Sequence, residues 1–539
     1  MRPRAAAALL GMAIAAAAFA SAPAARAATG RGPVEWIEVG DPILVELDRL
    51  VSAGLADSAV ALSSRPLARR DVVPVVVRAR RLHPDSRDPS LTRLERYFGR
   101  DLLRLGFPAP EGWTPPLASV SDEPGDDDAA APMRLRLSAY ADAVLDVTED
   151  LTRFQDRSRF GGRLDIESGG FLAHLDVWAG RVDDAPRFTD VLVTGSEFAA
   201  LSEDAYVSFA TRSFDATFGR RRQAYGPGMS GTLLWSRQAA PVTSLALGAT
   251  LFRHVRASSH HGDVDASRDA RIAAHRLEWF PTPQWTIGLH EAARYTSSQW
   301  EPLYVVPLLP FTFVQRLLSE DALDREDEGD AEPLRNNVMG GLDVTWRPSP
   351  GARLSGELLL DDQNLKTAGS PTRIGYQLGG LGVRPLDVLG PAAQGSLELE
   401  YTRVYNYVYS TFYGEDFIHH GRPIGAPQGP DSRSFWGRVA VATSAALEGR
   451  LAAAWTDLGE GTLGTYFDPD STSIPPASGS TLSGVVERTR TLELGARYWP
   501  EDGIDLDLAV ACQWIDDVAH QPGVNDRRWI VRLGARLRR

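Results

Sequence analysis

From about Met133 to the end of the chain, apolar residues return at every second position, and that period limits what the chain can fold into. Leu354, Gly356, Leu358 and Leu360 share one face, with Arg353, Ser355, Glu357 and Asp361 mostly on the other. Leu492, Leu494, Ala496 and Tyr498 alternate with Thr491, Glu493, Gly495 and Arg497. Ile504, Leu506, Leu508, Val510, Cys512 and Trp514 alternate with Asp505, Asp507 and Gln513, and the last segment interleaves Trp529, Val531, Leu533, Ala535 and Leu537 with Arg532, Gly534 and Arg536. Such segments are strands with one greasy face, and Cys512 reads as a small apolar residue on it.

The connections fall into two kinds. Arg347–Gly351, Phe280–Pro283, Pro500–Gly503 and Ser168–Gly170 are tight, whereas Ala257–Arg271, Ser319–Asn336, Thr411–Ser434 and Asp457–Arg490 read as long polar loops. Short turns at one end and long loops at the other are the pattern of an outer-membrane barrel, which leaves no backbone group unpaired in lipid. A soluble sandwich rarely needs so many strands with such lopsided loops. Trp279, Phe280, Trp346, Tyr498 and Trp499 sit near strand ends, as an interfacial girdle requires. The expected fold is therefore mostly β: a transmembrane antiparallel β-barrel of about 16–18 strands with a small N-terminal α-helical domain.

The leader supports that destination. Arg2 and Arg4 precede the uncharged stretch Ala5–Phe19, and Ala25-Arg26-Ala27 offers a small-x-small cleavage site after Ala27. Beyond it no apolar run is long enough for a membrane helix. Losing Arg2, Arg4 and Arg26 takes the formal charge from −13 to −16, a balance that argues against a nucleic-acid partner. The single cysteine excludes an internal disulfide.

Residues 28–114 change to a helical period and read as a periplasmic helical domain. Asp41-Pro42 starts a helix whose stripe is Ile43, Leu44, Leu47, Leu50 and Val51, ending at Gly54. A second helix spans about Ala68–Arg80, shortened if Pro74 interrupts it, and a third runs from Ser90 to Gly106. Three short helices make a marginal core alone, so this domain is expected to dock on the barrel. Residues 115–132 are rich in proline and acid and read as a linker to the barrel at 133–539.

Several stretches resemble the capsule assembly Wzi family, outer-membrane lectins that help hold capsular polysaccharide on the cell. They are Leu47–Leu50 with Ala53–Leu55, Ser64–Asp71, Phe218–Gly228 leading to Leu233-Leu234, His275–Trp279, Leu289–Ala292, Pro302–Tyr304 with Pro307–Phe311, Asn337–Asp343, Glu357–Asp362 and His420–Gly425. The resemblance implies a barrel of about eighteen strands, plugged on the periplasmic side by the helical domain, with polysaccharide bound at the outer face. The implied partners are capsular or other surface polysaccharide, outer-membrane lipid and lipopolysaccharide, and the outer-membrane assembly machinery. That machinery commonly reads a terminal aromatic residue, where this chain has Arg539.

The candidate polysaccharide contacts are Arg220, Arg221, Arg222, Tyr225, Trp300, Tyr304, His420 and Arg422. Arginines can grip carboxylates of an acidic glycan, or line a lumen and pair with acids there. Tyr401, Tyr405, Tyr407, Tyr409 and Tyr413 share one parity with Arg403 and suit an outward girdle, or else a sugar-stacking surface. His260, His261, Asp263 and Asp265, like Asp416, His419 and His420, are rich in ligand types but lack a spacing that fixes a metal, and read as solvated loop. The acidic stretch Glu320–Glu332 reads as a charged loop, with calcium uptake as the alternative. No cofactor, metal or catalytic residue is expected: the chain lacks a nucleophile elbow around Ser230, a phosphate loop and an H-E-x-x-H helix. A diffusion channel and a barrel enzyme acting on lipid or glycan are the competing readings.

Overall fold

The computed structural model describes residues 35–56, 60–110 and most of 134–538. Outside the description lie 1–34, 57–59, 111–133, 148–151, 155–158, 182–190, 193–197, 212, 253, 266–268, 307–308, 316, 319–335, 362–371, 412–413, 466–480, 501–503 and 539. The expected leader and linker, the acidic stretch Glu320–Glu332 and Tyr413 fall in those ranges.

Among the described residues, eighteen antiparallel strands close a barrel. They are β1 Arg134–Val147, β2 Arg159–Ser168, β3 Phe171–Arg181, β4 Phe198–Ala210, β5 Phe214–Arg221, β6 Val242–Leu251, β7 Val255–Asp265, β8 Ala270–Thr282 and β9 Trp285–Thr296. The second half is β10 Asn336–Ser349, β11 Ala352–Asp361, β12 Ile374–Pro385, β13 Gln394–Val404, β14 Ser432–Ala442, β15 Leu447–Leu458, β16 Glu487–Tyr498, β17 Ile504–Asp516 and β18 Asp526–Arg538. β18 returns to β1, with Trp529 opposite Val147 and Arg538 opposite Ser138, so no strand edge is left open.

The period of two sorts the side chains. Leu354, Leu358, Leu378, Leu397, Leu399, Leu451 and Leu494 are exposed on the outside, while Arg353, Glu357, Gln377, Glu398 and Glu448 are buried inside. Outward Trp285 and Trp346 stack at 5.3 Å near the short-turn end, and exposed Trp455, Trp514 and Trp529 lie near the long-loop end. Phe280 and Trp499 depart from the girdle expectation: both are buried, and Trp499 packs into the core of the helical domain.

The helices of the N-terminal region are α1 Ile43–Ser52, α2 Arg69–Leu82, α3 Pro89–Tyr97 and α4 Gly99–Arg104. Asp41 Oδ1 accepts from Ile43 N at 3.0 Å, and the chain turns away at Gly54 with φ +79°. Pro74 does not end α2. It lies near the start, where it removes a single backbone hydrogen bond. The expected third helix is two, broken at Phe98, which caps both. Leu44, Leu47, Leu50, Val72, Val76, Leu91, Leu94 and Phe98 form their common core.

One expected loop is a hairpin. Ala257–Arg271 forms most of β7 and the start of β8, paired from Val255↔Trp279 to Asp263↔Arg271. His260 and His261 are buried wall residues and not solvated ones. Polarity misled the reading because these strands carry histidine and serine where the greasy face would be. The outward residues His261 and His275 are covered by the chain after β9, where Trp300, Tyr304 and Phe311 pack over them. That cover shields polar groups that lipid would penalise.

Candidate polysaccharide face and the plugged lumen

At the short-turn end the helical domain enters the barrel mouth. Arg49 and Arg93 both reach Glu448 of β15, at 2.6 and 3.0 Å, and both touch Glu46 of α1. Arg93 also donates to the carbonyls of Ala445 and Ser444 in the β14–β15 turn. Asp48 pairs with Arg353 of β11 at 2.8 Å, and Ser90 meets Gln394 of β13 at 3.1 Å. Glu35, just before the first helix, is held by Arg136 of β1 and Arg69 of α2. Burial would raise its pKa, but the two guanidinium groups outweigh that and hold the carboxyl down at about 2.

From the long-loop end two segments, 222–241 and 405–431, fold inward. Their backbone has no period of its own and is fixed by carboxylates of the wall. Glu400 of β13 accepts from the amides of Met229 and Ser230, and Glu357 of β11 accepts from Leu233 N at 2.9 Å. Asp361 accepts from Tyr409 N at 2.6 Å, and the Tyr409 hydroxyl donates to Leu233 O at 2.6 Å, tying the segments together. Gly226 sits at φ +122°, and a Cβ there would lie 2.6 Å from Glu357 Oε2. Only glycine fits that approach.

The two fillings meet. Ser64 and Arg65 of the helical domain form a two-residue ladder with Tyr225 and Ala224, and Gly226 N donates to Ser63 O at 2.8 Å. Beneath the ladder Arg276 of β8 binds Asp343 at 2.6 Å, Glu278 at 3.1 Å and the Ser64 hydroxyl at 2.8 Å. Along β15–β18 the inward groups are wetter: Arg532 is 41% exposed beside Glu493.

These contacts unite stretches far apart in the sequence. The capsule assembly protein Wzi family matches residues 194–527, well over half of the chain. The chain belongs to that family. No curated protein sequence matches significantly. Among solved structures, Wzi of Escherichia coli, described as an outer membrane protein involved in group 1 capsule assembly and a carbohydrate-binding β-barrel, superposes with a TM-score of 0.59. The identity is 14%, over 93% of this chain and 98% of that one, which is a likeness of fold. OprD of Pseudomonas aeruginosa aligns at 11% identity and TM-score 0.41, over 76% of this chain and 94% of its own.

The eight candidate residues of this Wzi-family chain do not form one site. Arg221 is buried, 3.6 Å from Glu38 and with its guanidinium over the rings of Trp36 and Tyr206, so it anchors the helical domain. Tyr225 belongs to the loop plug, and Tyr304 is fully buried between Tyr295 and Phe311. Arg222 pairs with Glu203 and donates to Ala239 O at 3.1 Å. Trp300 stacks on His261 at 4.7 Å and donates to Asp263 at 2.9 Å.

His420 and Arg422 do gather around His419, within electrostatic reach of Arg220. His419 pairs with Arg422 in a short ladder, its ring lies 4.0 Å from that of His420, and the Arg220 charge reaches it. Burial, with His420 beside it, pushes the His419 imidazole down to about 4, so it is neutral at ordinary pH. It bridges the carbonyls of Val264 and Pro241 and braces the rim. The tyrosine run divides: Tyr401 continues the outward face, whereas Tyr407 and Tyr409 turn inward at φ +67° and +72° and are buried. Arg403 caps the carbonyls of Val404 and Ser432. Sequence reasoning did not single out Arg276 or Glu400. Arg276 lay only within the family-like stretch His275–Trp279, and Glu400 was marked only by a charge on the inward parity of its strand.

Proposed function

We propose that this protein binds capsular or other surface polysaccharide and helps attach or assemble it at the cell surface, by binding and not by turnover. In this reading the barrel lies in the outer membrane after export through a cleaved leader, with the helical domain facing the periplasm and the long loops facing outward. The observation that carries it is the Ser64–Arg65 ladder with Ala224–Tyr225: the fillings from the two ends join inside the barrel, leaving the long-loop rim as the surface offered to a polymer. Family membership and the carbohydrate-binding description of the Escherichia coli structure support the same role. Arg220, His420 and Arg422 are the proposed contacts, with Arg222 and Trp300 at their flank.

The test is binding of the folded protein to polysaccharide extracted from its own cell surface, with a neutral unrelated glycan as control. Replacing Arg220, His420 and Arg422 together by alanine is expected to weaken binding by roughly tenfold or more, since charge-assisted hydrogen bonds are the strong ones. A diffusion channel is the second reading, favoured by the wetted strip of Arg532 and Glu493. It predicts steady single-channel conductance and no saturable glycan binding, and that pair of results overturns the first reading.

A further inference from the structure

A second cluster lies inside the barrel near the short-turn end, on β2, β3 and β4. His174 and Asp176 point inward from β3, and Asp204 stands opposite Asp176 on β4. All three are buried, and each offers one ligand atom within 4.8 Å of the others. His174 is 7% exposed, its Nδ1 lies 2.6 Å from Asp165 Oδ1, and its Nε2 is buried with no hydrogen-bond partner. A carboxylate on one ring nitrogen and nothing on the other is how proteins present imidazole to a metal ion.

The charges agree. Arg163 binds Asp176 at 2.6 Å, Arg221 lies 3.6 Å from Glu38, and Glu203 is held by Arg159 and Arg222. Among the described residues neither Asp165 nor Asp204 forms an ion pair with an arginine; Asp204 accepts only the backbone amide of Arg222, at 3.0 Å. Asp165 and Asp204 are therefore the carboxylates of this pocket that no guanidinium holds in place. Ligand atoms on a tetrahedral ion bonded at about 2.0–2.1 Å stand roughly 3.3 Å apart, so side-chain rotations of about an ångström would close the set.

We propose that His174, Asp176 and Asp204 bind one divalent transition-metal ion, of the zinc or manganese class that a mixed imidazole and carboxylate set selects. The site joins two neighbouring strands of the wall beside the segment that leads to α1. Tyr206 stacks on His174 at 4.8 Å and donates to Glu38 Oε1 at 2.7 Å, so the ion's surroundings continue into the segment that leads to α1.

The experiment uses the folded full-length chain, stripped with chelator and then titrated with Co2+ and Zn2+. Expected are one ion per chain, a visible cobalt absorption displaced by zinc, and a higher unfolding temperature in the loaded protein. His174→Gln and Asp204→Asn should each weaken binding at least tenfold, and Asp165→Asn by about 10–100-fold through orientation of the ring. His83→Ala, at the end of α2, should change nothing. Asp204→Asn keeps an acceptor for the Arg222 amide, so it carries the test if the histidine variant does not fold. Absence of stoichiometric metal and of any thermal shift in the unmodified protein overturns the proposal. So does binding unchanged by either ligand variant.

Discussion

Two fillings close this barrel, and they are built on different principles. The helical domain has its own apolar core and adds charged contacts to the wall around it. The segments 222–241 and 405–431 also bury a cluster, including Leu233, Trp235, Tyr409 and Phe417, but their backbone path is drawn by Glu357, Glu400 and Asp361 of the wall. The first is shaped mainly by contacts among its own helices, with Trp499 of the barrel added to its core. The second takes its shape from the barrel. A domain folded from within tolerates loss of one contact with the wall, whereas a loop folded from outside depends on each.

The sharpest way to break that contrast is to compare a buried arginine of the wall, whose guanidinium lies 5.6 Å from the Tyr225 ring of the loop filling, with one of the helical domain. Arg276→Ala leaves Asp343 and Glu278 without their guanidinium in a fully buried site. Such a loss costs about 3–5 kcal/mol. Arg49→Ala should cost clearly less, because Arg93 still reaches both Glu46 and Glu448. Unfolding of the reconstituted protein in denaturant gives both values. Equal losses would mean that the helical filling depends on its single arginine tie to the wall as much as the barrel depends on the network beneath the ladder.

The same contrast explains how much was legible beforehand. The barrel and the first helix could be read because each repeats a period: Leu354, Leu358 and Leu360 on a strand, Leu44, Leu47 and Val51 on a helix. The His260–His261 strand was lost because a covering segment, Trp300 to Phe311, lets polar residues occupy the outer face. The inward path of Tyr407 and Tyr409 was lost because nothing local encodes it; the residues that receive it, Asp361 and Leu233, lie 48 and 176 positions away. Of the candidate contacts, His420 and Arg422 come toward Arg220 only because the 405–431 segment folds back on the wall, where His419 bonds to the carbonyls of Pro241 and Val264. Arginine type alone could not separate them from Arg221, which is spent on Glu38 and Trp36.

Acid should loosen the helical filling in a defined window. Glu35 has a folded-state pKa of about 2, below its ordinary 4.5, so its contribution is present above pH 4.5 and is lost as pH falls toward 2. The shift corresponds to roughly 3 kcal/mol. Its side chain is 14% exposed, so little of that is screened. The stability gap between the unmodified protein and Glu35→Gln should therefore shrink steadily between pH 5 and pH 2. A gap independent of pH would show that Arg136 and Arg69 do not act through the charge of Glu35.

Gly226→Ala probes the loop filling at its tightest point. The added Cβ would meet the Glu357 carboxylate at 2.6 Å in a backbone conformation that L-residues avoid. About 2 kcal/mol of destabilisation is expected. Pairing it with Glu357→Ala removes the clash but also the acceptor for Leu233 N. The double variant should therefore be no more stable than Gly226→Ala alone. Recovery in the double variant would mean that the collision matters more than the hydrogen bond.

The smallest effect tests whether the helical domain is self-sufficient. Asp88 caps α3 through Leu91 N at 3.0 Å and also accepts from Gln394 Nε2 of the wall. Asp88→Ala loses both and should cost about 1 kcal/mol for the cap plus whatever the wall contact adds. Asp88→Ser retains a capping oxygen but is too short to hold Gln394. If the domain folds from within, serine recovers most of the loss, as judged by protease resistance of residues 35–110 in the intact protein. If serine behaves like alanine, the link to Gln394 is the larger contribution. The helices would then owe their order to docking, and the distinction between the two fillings would collapse into one of degree.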